Sequence, residues 1–233
     1  MEVKLLNSTT KPLELIYTAC RTCYSADTPI NIYDKDIEDS KKISLITKVF
    51  DSGHLSTSEH VSFSFALCGV SRALLAQITR HRLCSFSVQS QRYVEIKEKS
   101  KEIKILRDFG TEIDKMRMIN KYFVLEHYSL EEANALLFAL IVYRQLIENG
   151  MKPEDARMYL PNCTKTNIVM SMNLREFMHL CNLRLCKHAQ AEIRKAVGLM
   201  RDRILEKKEY SWLKKYLVPN CKNCTDFRDC KEV

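Results

Sequence analysis

Arg80, His81 and Arg82 are consecutive in the sequence, Ser90 follows Arg82 after seven residues, and Arg92 lies two positions beyond that serine. Guanidinium groups this close repel one another, and an anion among them offsets the repulsion because each can bind a phosphate through paired hydrogen bonds. The serine hydroxyl supplies a further donor. The cluster therefore predicts a nucleotide-phosphate site. The alternative is a helix end whose cations offset the helix dipole.

Glycine is scarce in this chain, with only five among 233 residues, at positions 53, 69, 110, 150 and 198. This spacing excludes the GxGxxG loop of dinucleotide-binding folds and the GxxxxGK loop of P-loop proteins. A phosphate would then be bound by Arg and Lys side chains or by helix N-termini.

The composition is that of a globular protein. Lysine and arginine number 37 against 29 acidic residues, a net charge of +8, and 45% of the residues are hydrophobic. This balance excludes a disordered chain. The first residues turn polar after two leucines, and no apolar run approaches the roughly 18–20 residues that a membrane span needs. We therefore expect a cytoplasmic protein without a membrane partner.

Ten cysteines are present. Without a secretion signal we expect free thiols, most of them packed as small hydrophobic side chains. Cys221, Cys224 and Cys230 cluster in the C-terminal tail. Three thiols are one ligand short of a closed zinc site, which a partner chain could complete. We predict no bound metal, and a thiol–metal structural protein is kept as an alternative.

Hydrophobic periodicity predicts the elements that would position these residues. Residues 60–68 alternate as in a half-buried strand, and Ser129 with Glu132 forms a capping box for a helix over 130–148. The other expected elements are strands at 2–6 and 164–172, a loop passing into a strand over 82–96, helices beginning at Pro12 and Pro153, helices over 35–52, 71–81, 174–207 and 211–217, a loop at 25–34, and an unassigned charged stretch at 97–128. We predict an α+β fold in which long helices cover a mainly antiparallel sheet, as a single domain over 1–220 followed by a cysteine-rich tail over 221–233.

The segment RHRLCSFSVQS, residues 80–90, resembles the RHRx7S signature of the flavin-dependent thymidylate synthases, the ThyX family. The likeness continues through Arg92 and Tyr93 to four further parts of the chain. These are HLSTSEH at 54–60, Ala156-Arg157 with Leu160-Pro161, the two N-x-R segments at 173–175 and 182–184, and HAQ at 188–190. Motifs in the family's order over residues 54–190 make the resemblance specific.

The resemblance implies an enzyme that makes dTMP from dUMP. Methylenetetrahydrofolate would supply the carbon, and FAD reduced by NADPH would supply the hydride. It also implies a homotetramer whose FAD and dUMP sites lie between subunits. No nucleic-acid partner is expected.

The resemblance further implies two sets of site residues, carried over by matching position. The FAD set is Ser56, Arg80, His81, Arg82, Asn173, Leu174, Arg175 and His179. The dUMP set is Gln77, Ile78, Thr79, Arg80, Val88, Gln89, Ser90, Gln91, Arg92, Arg157 and Arg184. Within these sets, Arg82 and Arg175 are expected at the FAD diphosphate, and Arg92 with Arg157 at the dUMP phosphate.

Arg184 is the expected catalytic residue, because it matches the family residue set against the uracil ring. A fixed guanidinium there stabilises negative charge on N3 and the adjacent oxygen, which makes C5 more nucleophilic.

Several of these residues have alternatives. The resemblance does not support Cys84 as a nucleophile, since the family's site uses no cysteine nucleophile, and we expect this thiol to be buried. Ser90 is expected to be a substrate ligand and not a nucleophile, since no His or Asp partner is evident. Val88 stands where the family often has Glu or Gln. Ser56 with Glu59 could instead form a capping box. Hydrogen-bonded core residues are the alternative for His179, Asn182 and His188.

A basic nucleic-acid-binding module is the alternative function. Residues 173–233 hold 14 Lys and Arg against 8 Asp and Glu, which gives +6 of the total +8. A basic surface of this kind can attract an anionic partner or can be a solvated helix face.

Overall fold

A computed structural model of the chain describes residues 1–125, 129–219 and 221. Two compact units divide the chain. The first comprises Met1–Leu67, Gln77–Phe86 and Val169–Val233, and the second comprises Cys68–Ala76 and Ser87–Ile168. The expectation of one domain with a tail beyond residue 220 stays a prediction.

The fold is α+β, as expected, with a four-stranded antiparallel sheet in the strand order β1-β2-β4-β3. Its strands are β1 (Glu2–Ser8), β2 (Ser62–Ser71), β3 (Ser85–Val88) and β4 (Lys165–Asn173). Its helices are α1 (Pro12–Thr22), α2 (Pro29–Asp34), α3 (Asp39–Asp51), α4 (Arg72–Ile78), α5 (Ser100–Phe109), α6 (Glu112–Tyr122), α7 (Leu130–Glu148), α8 (Pro153–Ala156), α9 (Leu174–Arg184) and α10 (Ala191–Leu205). Short 3-10 helices span Leu55–His60, Arg157–Tyr159 and Lys208–Lys215.

The core of the first unit is built on aromatic side chains from the alternating strand. Phe63 and Phe65 point inward from β2 and are fully buried. Phe65 stacks on Phe177 of α9 with ring centroids 5.7 Å apart, and Phe63 meets the edge of Tyr210 at 5.2 Å. Such aromatic pairs add to the stabilisation that burial itself supplies. This packing anchors α9, the helix that carries several of the predicted site residues.

The second unit contains a helical layer that the sequence pattern left unassigned. Residues 97–128 include α5 and α6, which bury Ile103 and Ile119 against α7. Thr111 caps α6 by accepting a hydrogen bond from the backbone N–H of Asp114 at 3.2 Å. The capping box of Ser129 and Glu132 at the start of α7 is confirmed.

Two expectations about elements are wrong. The segment 25–34 contains α2, because Thr28 caps it and Pro29 occupies its first position. The helix expected over 174–207 is two helices, α9 and α10. The turn between them is held by Arg194, which donates to the carbonyls of Lys187 and Ala189 at 2.8 and 3.3 Å.

In the stretch 82–96, expected to be a loop passing into a strand, only Ser85–Val88 form a strand, and residues 89–96 do not continue it. The remaining boundaries are close to those expected. The helix expected over 211–217 is the 3-10 helix Lys208–Lys215. In the part of the chain that the structure describes, no helix combines the length and the apolar character that crossing a membrane requires.

Candidate active site

Asn173 lies at the junction between β4 and α9, and several predicted site residues follow it along α9. Its side-chain oxygen accepts a hydrogen bond from the backbone N–H of Glu176 at 2.9 Å and so caps α9. A capping residue fixes where its helix starts and therefore which side chains share a face. Arg175 and His179, four positions apart on α9, are both exposed, and the helix ends at Arg184.

His81 lies in the turn after α4 and is 5% exposed. Its Nδ1 lies 3.1 Å from Oε1 of Glu176, which is also buried, and Nε of Arg184 donates to its Nε2 at 3.1 Å. A guanidinium can only donate, so Nε2 must be an acceptor and the ring proton must lie on Nδ1, where it is donated to the carboxylate. The contacts therefore define a neutral imidazole of one tautomer.

The electrostatics of His81 agree with that assignment. Burial lowers the pKa of His81, and the charge of Arg184 acts in the same direction, whereas the hydrogen bond with Glu176 opposes both. Adding a proton at Nε2 would also place two donors face to face. The neutral ring is therefore the form that fits between Glu176 and Arg184.

Arg184 is held at a second point. Its Nη2 donates to the main-chain oxygen of Gln77 at 3.5 Å, and Nε2 of Gln77 donates to Gln190 at 2.7 Å. The structure thus brings together Gln77, His81 and Arg184, three residues that the sequence motifs assign to substrate or cofactor. Their partners fix the guanidinium in a half-buried position.

Ser56 and Glu59 do not form a capping box. Both lie inside the 3-10 helix Leu55–His60, whose N-cap is His54 and which has no side-chain cap. Glu59 instead forms an ion pair with Arg175, and Ser56 is exposed. The capping alternative is wrong because the helix begins one residue before Ser56.

The other predicted FAD residues divide into exposed and buried side chains. Arg80, Arg82 and His179 are exposed, whereas Leu174 has no exposed surface. His179 meets the ring of His81 with centroids 6.0 Å apart. Its exposure, and that of His188, makes the core alternative wrong for these two histidines. Asn182, for which the same alternative was open, is half-buried.

Ile78 and Thr79, predicted in the dUMP set, differ in the same way. The side chain of Ile78 is fully buried, and that of Thr79 is exposed. A ligand could reach Ile78 and Leu174 only through their main-chain groups. Their assigned roles stay predictions.

The second unit holds the two arginines predicted for the dUMP phosphate, and both approach Glu154. Arg92 Nε donates to Glu154 Oε2 at 2.8 Å, and Arg157 Nε donates to the main-chain oxygen of Glu154 at 3.1 Å. A third arginine, Arg72, is half-buried, and its pKa is lowered by burial and by the positive charge of Arg157. Like charges gathered in this way favour a bound anion.

Residues 89–92 follow β3 in the second unit, and several of their polar groups form hydrogen bonds. The backbone N–H of Gln89 donates to the carbonyl of Asn167 at 2.9 Å, and Asn167 Nδ2 donates to the side-chain oxygen of Gln89 at 2.8 Å. Ser90 Oγ accepts from the backbone N–H of Arg92 at 3.2 Å. Val88 is half-buried at the end of the strand. Gln89, Ser90 and Gln91 line a cavity of about 350 Å³ in this unit.

The structure argues against a thiolate at Cys84. Burial raises the pKa of the thiol to about 12, and Sγ lies 3.9 Å from the sulfur of Met172. A thiol in this state is not a nucleophile at neutral pH. Cys224 and Cys230 of the tail lie outside the described residues. Among the residues that are described, no three His, Cys, Asp or Glu side chains are grouped to hold a metal ion.

Comparison with known proteins decides the family. The family described as "Thymidylate synthase complementing protein" matches residues 4–208. The chain belongs to this family. Flavin-dependent thymidylate synthases resemble it over most of their length. The protein of Haloarcula marismortui is 40% identical over 215 residues, which cover 83% of this chain and 86% of the relative. That of Clostridium tetani is 35% identical over 233 residues, covering 96% and 89%.

Solved structures of the thymidylate synthase complementing family share the fold. A crystal structure of thymidylate synthase X from Helicobacter pylori with FAD and dUMP superposes with a TM-score of 0.75 at 27% identity. The superposition covers 93% of this chain and 99% of that one. The resemblance proposed from the sequence motifs is thereby confirmed.

Sequence reasoning missed two charged residues of the candidate site in this family member. Glu176 binds His81, and Arg72 adds a cation beside Arg157. Glu176 stands immediately after Arg175 in α9, and Arg72 directly follows the alternating strand β2. The only signal was position in the chain, directly after the N-x-R motif for Glu176 and directly after the alternating strand for Arg72.

Proposed function

We propose that the chain is a flavin-dependent thymidylate synthase, which makes dTMP from dUMP using methylenetetrahydrofolate as carbon donor and FAD reduced by NADPH as hydride source. The family match over residues 4–208 is the observation that carries the proposal. The crystal structure of thymidylate synthase X from Helicobacter pylori with FAD and dUMP supports the ligand assignment. The comparisons give no support to the alternative of a nucleic-acid-binding module.

The residues proposed for FAD fit an anionic cofactor. Arg80, Arg82 and Arg175 are exposed guanidiniums, and the chain has no glycine-rich loop to hold a diphosphate. Glu59 is paired with Arg175 and would yield that arginine to the cofactor phosphate. Reduced FAD, when bound, supplies the hydride that completes the methyl group.

Some of the residues proposed for dUMP would bind its phosphate, and another would act on its uracil ring during the reaction. Arg92 and Arg157 would bind the phosphate, which supplies most of the affinity, and Ser90 would add a hydroxyl. Arg184 would face the uracil ring. Its Nε and Nη2 bind His81 and Gln77 within the described residues, which leaves Nη1 to donate to the substrate. A guanidinium held in this way stabilises charge that develops on the ring without first having to reorient.

A homotetramer in the cytoplasm, with FAD and dUMP sites between subunits, completes the proposal. A chain of 233 residues offers few ways to surround a flavin, a nucleotide and a folate together. The exposure of Arg80, Arg82, Arg175 and His179 suits residues that meet a ligand at a subunit boundary.

The test is the colour of the purified protein followed by a product assay. We expect flavin absorbance and, with dUMP, methylenetetrahydrofolate and NADPH, formation of dTMP that stops when any one of them is omitted. A colourless protein that remains inactive after addition of FAD would refute the proposal. Salt-dependent binding of a DNA or RNA oligonucleotide by such a protein would favour the alternative.

A further inference from the structure

Glu176 is a buried carboxylate to which the sequence motifs assign no role. It lies in the first turn of α9, and its side chain is 6% exposed. Burying a carboxylate lowers the stability of a fold unless the carboxylate is hydrogen-bonded or paired with a charge. Glu176 meets this requirement through Nδ1 of His81, 95 residues away in the sequence.

We propose that Glu176 is a positioning residue for Arg184: by accepting the Nδ1 proton of His81 it keeps His81 Nε2 free to accept from Arg184 Nε, and so fixes the guanidinium. The inference rests on the proposed function, in which Arg184 acts on the uracil ring. It assigns to Glu176 no contact with substrate or cofactor.

A neutral imidazole has two tautomers, with its proton on Nδ1 or on Nε2. With the proton on Nδ1, Glu176 accepts and Arg184 donates, so both 3.1 Å contacts are hydrogen bonds. With the proton on Nε2, two donors meet at Arg184 and two acceptors meet at Glu176. An ionised carboxylate has only acceptors, so it selects the first tautomer.

The position of Arg184 depends on that selection. Its guanidinium is held by Nε on His81 and by Nη2 on the main-chain oxygen of Gln77. The bond to His81 is the shorter of the two, at 3.1 Å against 3.5 Å. Without an acceptor at His81 Nε2, the guanidinium keeps only the longer contact and can rotate away from the ring it should stabilise. Small displacements of a catalytic group lower the rate more than they lower binding.

The titratable and charged groups around His81 favour a neutral ring. The groups that act electrostatically on its ring are Glu176, His179 and Arg184, all on α9. The charge of Arg184 disfavours a second proton on the ring, as burial does. The favoured form is therefore the neutral ring, which is the form that can bind Glu176 and Arg184 together.

The test compares Glu176→Leu and Glu176→Gln with the wild-type holoenzyme. Leucine removes the acceptor, whereas the glutamine carbonyl can still accept from Nδ1. With dUMP and methylenetetrahydrofolate, we expect the single-turnover rate of flavin oxidation to fall about tenfold in the leucine variant and to be partly restored in the glutamine variant. FAD content and the Kd for dUMP should change by less than about twofold, since no ligand contact is removed.

Glu192 supplies the matched control. It is the other buried glutamate among the described residues, lies on α10 in the same unit, and can be changed to Leu and Gln in the same way. In the Glu192 variants we expect neither the fall in single-turnover rate with leucine nor its partial recovery with glutamine. An equal loss in the Glu192 variants would mean that the effect is a general response to altering a buried carboxylate, and would overturn the proposal.

A spectroscopic measurement tests the tautomer without relying on activity. In protein with 15N-labelled histidine, the His81 ring should show a protonated Nδ1 and an unprotonated Nε2, identified by comparison with His81→Gln. A protonated Nε2 in the wild-type protein would refute the proposal. So would a wild-type rate in both Glu176 variants. If the wild-type protein makes no dTMP, the proposed function fails, and the spectrum still reports whether Glu176 orients His81.

Discussion

Replacing Arg184 should damage the chemistry more than the binding of dUMP. The guanidinium is already held by His81 Nε2 at 3.1 Å and by the carbonyl of Gln77 at 3.5 Å, so its remaining donors are preorganised. Loss of one preorganised donor typically costs about 10²–10³ in rate, or about 2.7–4 kcal/mol. We therefore expect Arg184→Ala to lower the single-turnover rate of flavin oxidation by about 10²–10³ with dUMP and methylenetetrahydrofolate present.

The affinity for dUMP should change modestly in the same variant, because the proposed phosphate ligands Arg92 and Arg157 remain. Arg184→Lys should recover little activity, since an ammonium cannot reproduce the planar fork that reaches both His81 and the ring. The assays are stopped-flow flavin absorbance at saturating dUMP and equilibrium dUMP binding, with FAD content measured on the same samples.

Arg203→Ala is a suitable control for the loss of an arginine. Arg203 belongs to the same unit and also donates to a main-chain carbonyl, that of Val3, at 3.3 Å. Its replacement should leave the rate within about twofold. If Arg184→Ala lost dUMP binding entirely but reacted at a normal rate once saturated, Arg184 would be a substrate anchor and the reasoning would be refuted.

Four other outcomes are expected. Arg82→Ala should reduce the flavin retained on purification, because a phosphate would lose a charge-assisted partner, and full retention would argue against this assignment. Cys84→Ser should keep most of the activity, because a thiol with a pKa near 12 is not the nucleophile, and complete inactivation with normal FAD and dUMP binding would contradict this. The pKa of His81 in the folded state is below its ordinary value of 6.5, so the unfolded chain binds the extra proton first as the pH falls. The free energy of unfolding, measured by denaturant titration at several pH values, should therefore fall as the pH drops below about 6.5. The fall should be smaller in His81→Gln. Mixing inactive Arg80→Ala and Arg175→Ala proteins should restore some activity if sites form between subunits, whereas a fully active monomer in sedimentation would exclude such sites.

Local sequence patterns determined most of the elements. The alternation along β2 and the capping box at the start of α7 involve residues close together in the chain, so their physical cause is visible in the sequence. In the charged stretch over 97–128, by contrast, the local pattern did not reveal the helices. Its helices α5 and α6 are polar over most of their surface and bury few side chains, among them Ile103 and Ile119. These isoleucines pack against side chains of α7, a contact between separate segments that the local pattern does not show.

The break between α9 and α10 shows the limit of periodicity. Residues 174–207 read as one helix because helix-forming residues continue through the gap. The turn is stabilised by Arg194, which binds the carbonyls of Lys187 and Ala189, and by the contact of Gln190 with Gln77. The second contact joins residues 113 positions apart, which no local pattern can specify.

By itself, the sequence determined the family and the types of residue available for chemistry: a glycine-poor chain with the RHRx7S signature and arginines in a particular order. The tertiary structure alone decided how those residues are paired. Glu176 and Arg184 meet His81 across 95 and 103 positions of the chain. The reason is physical: a buried polar group must find a partner wherever the fold brings one near, and that partner then sets its tautomer, its charge and its orientation.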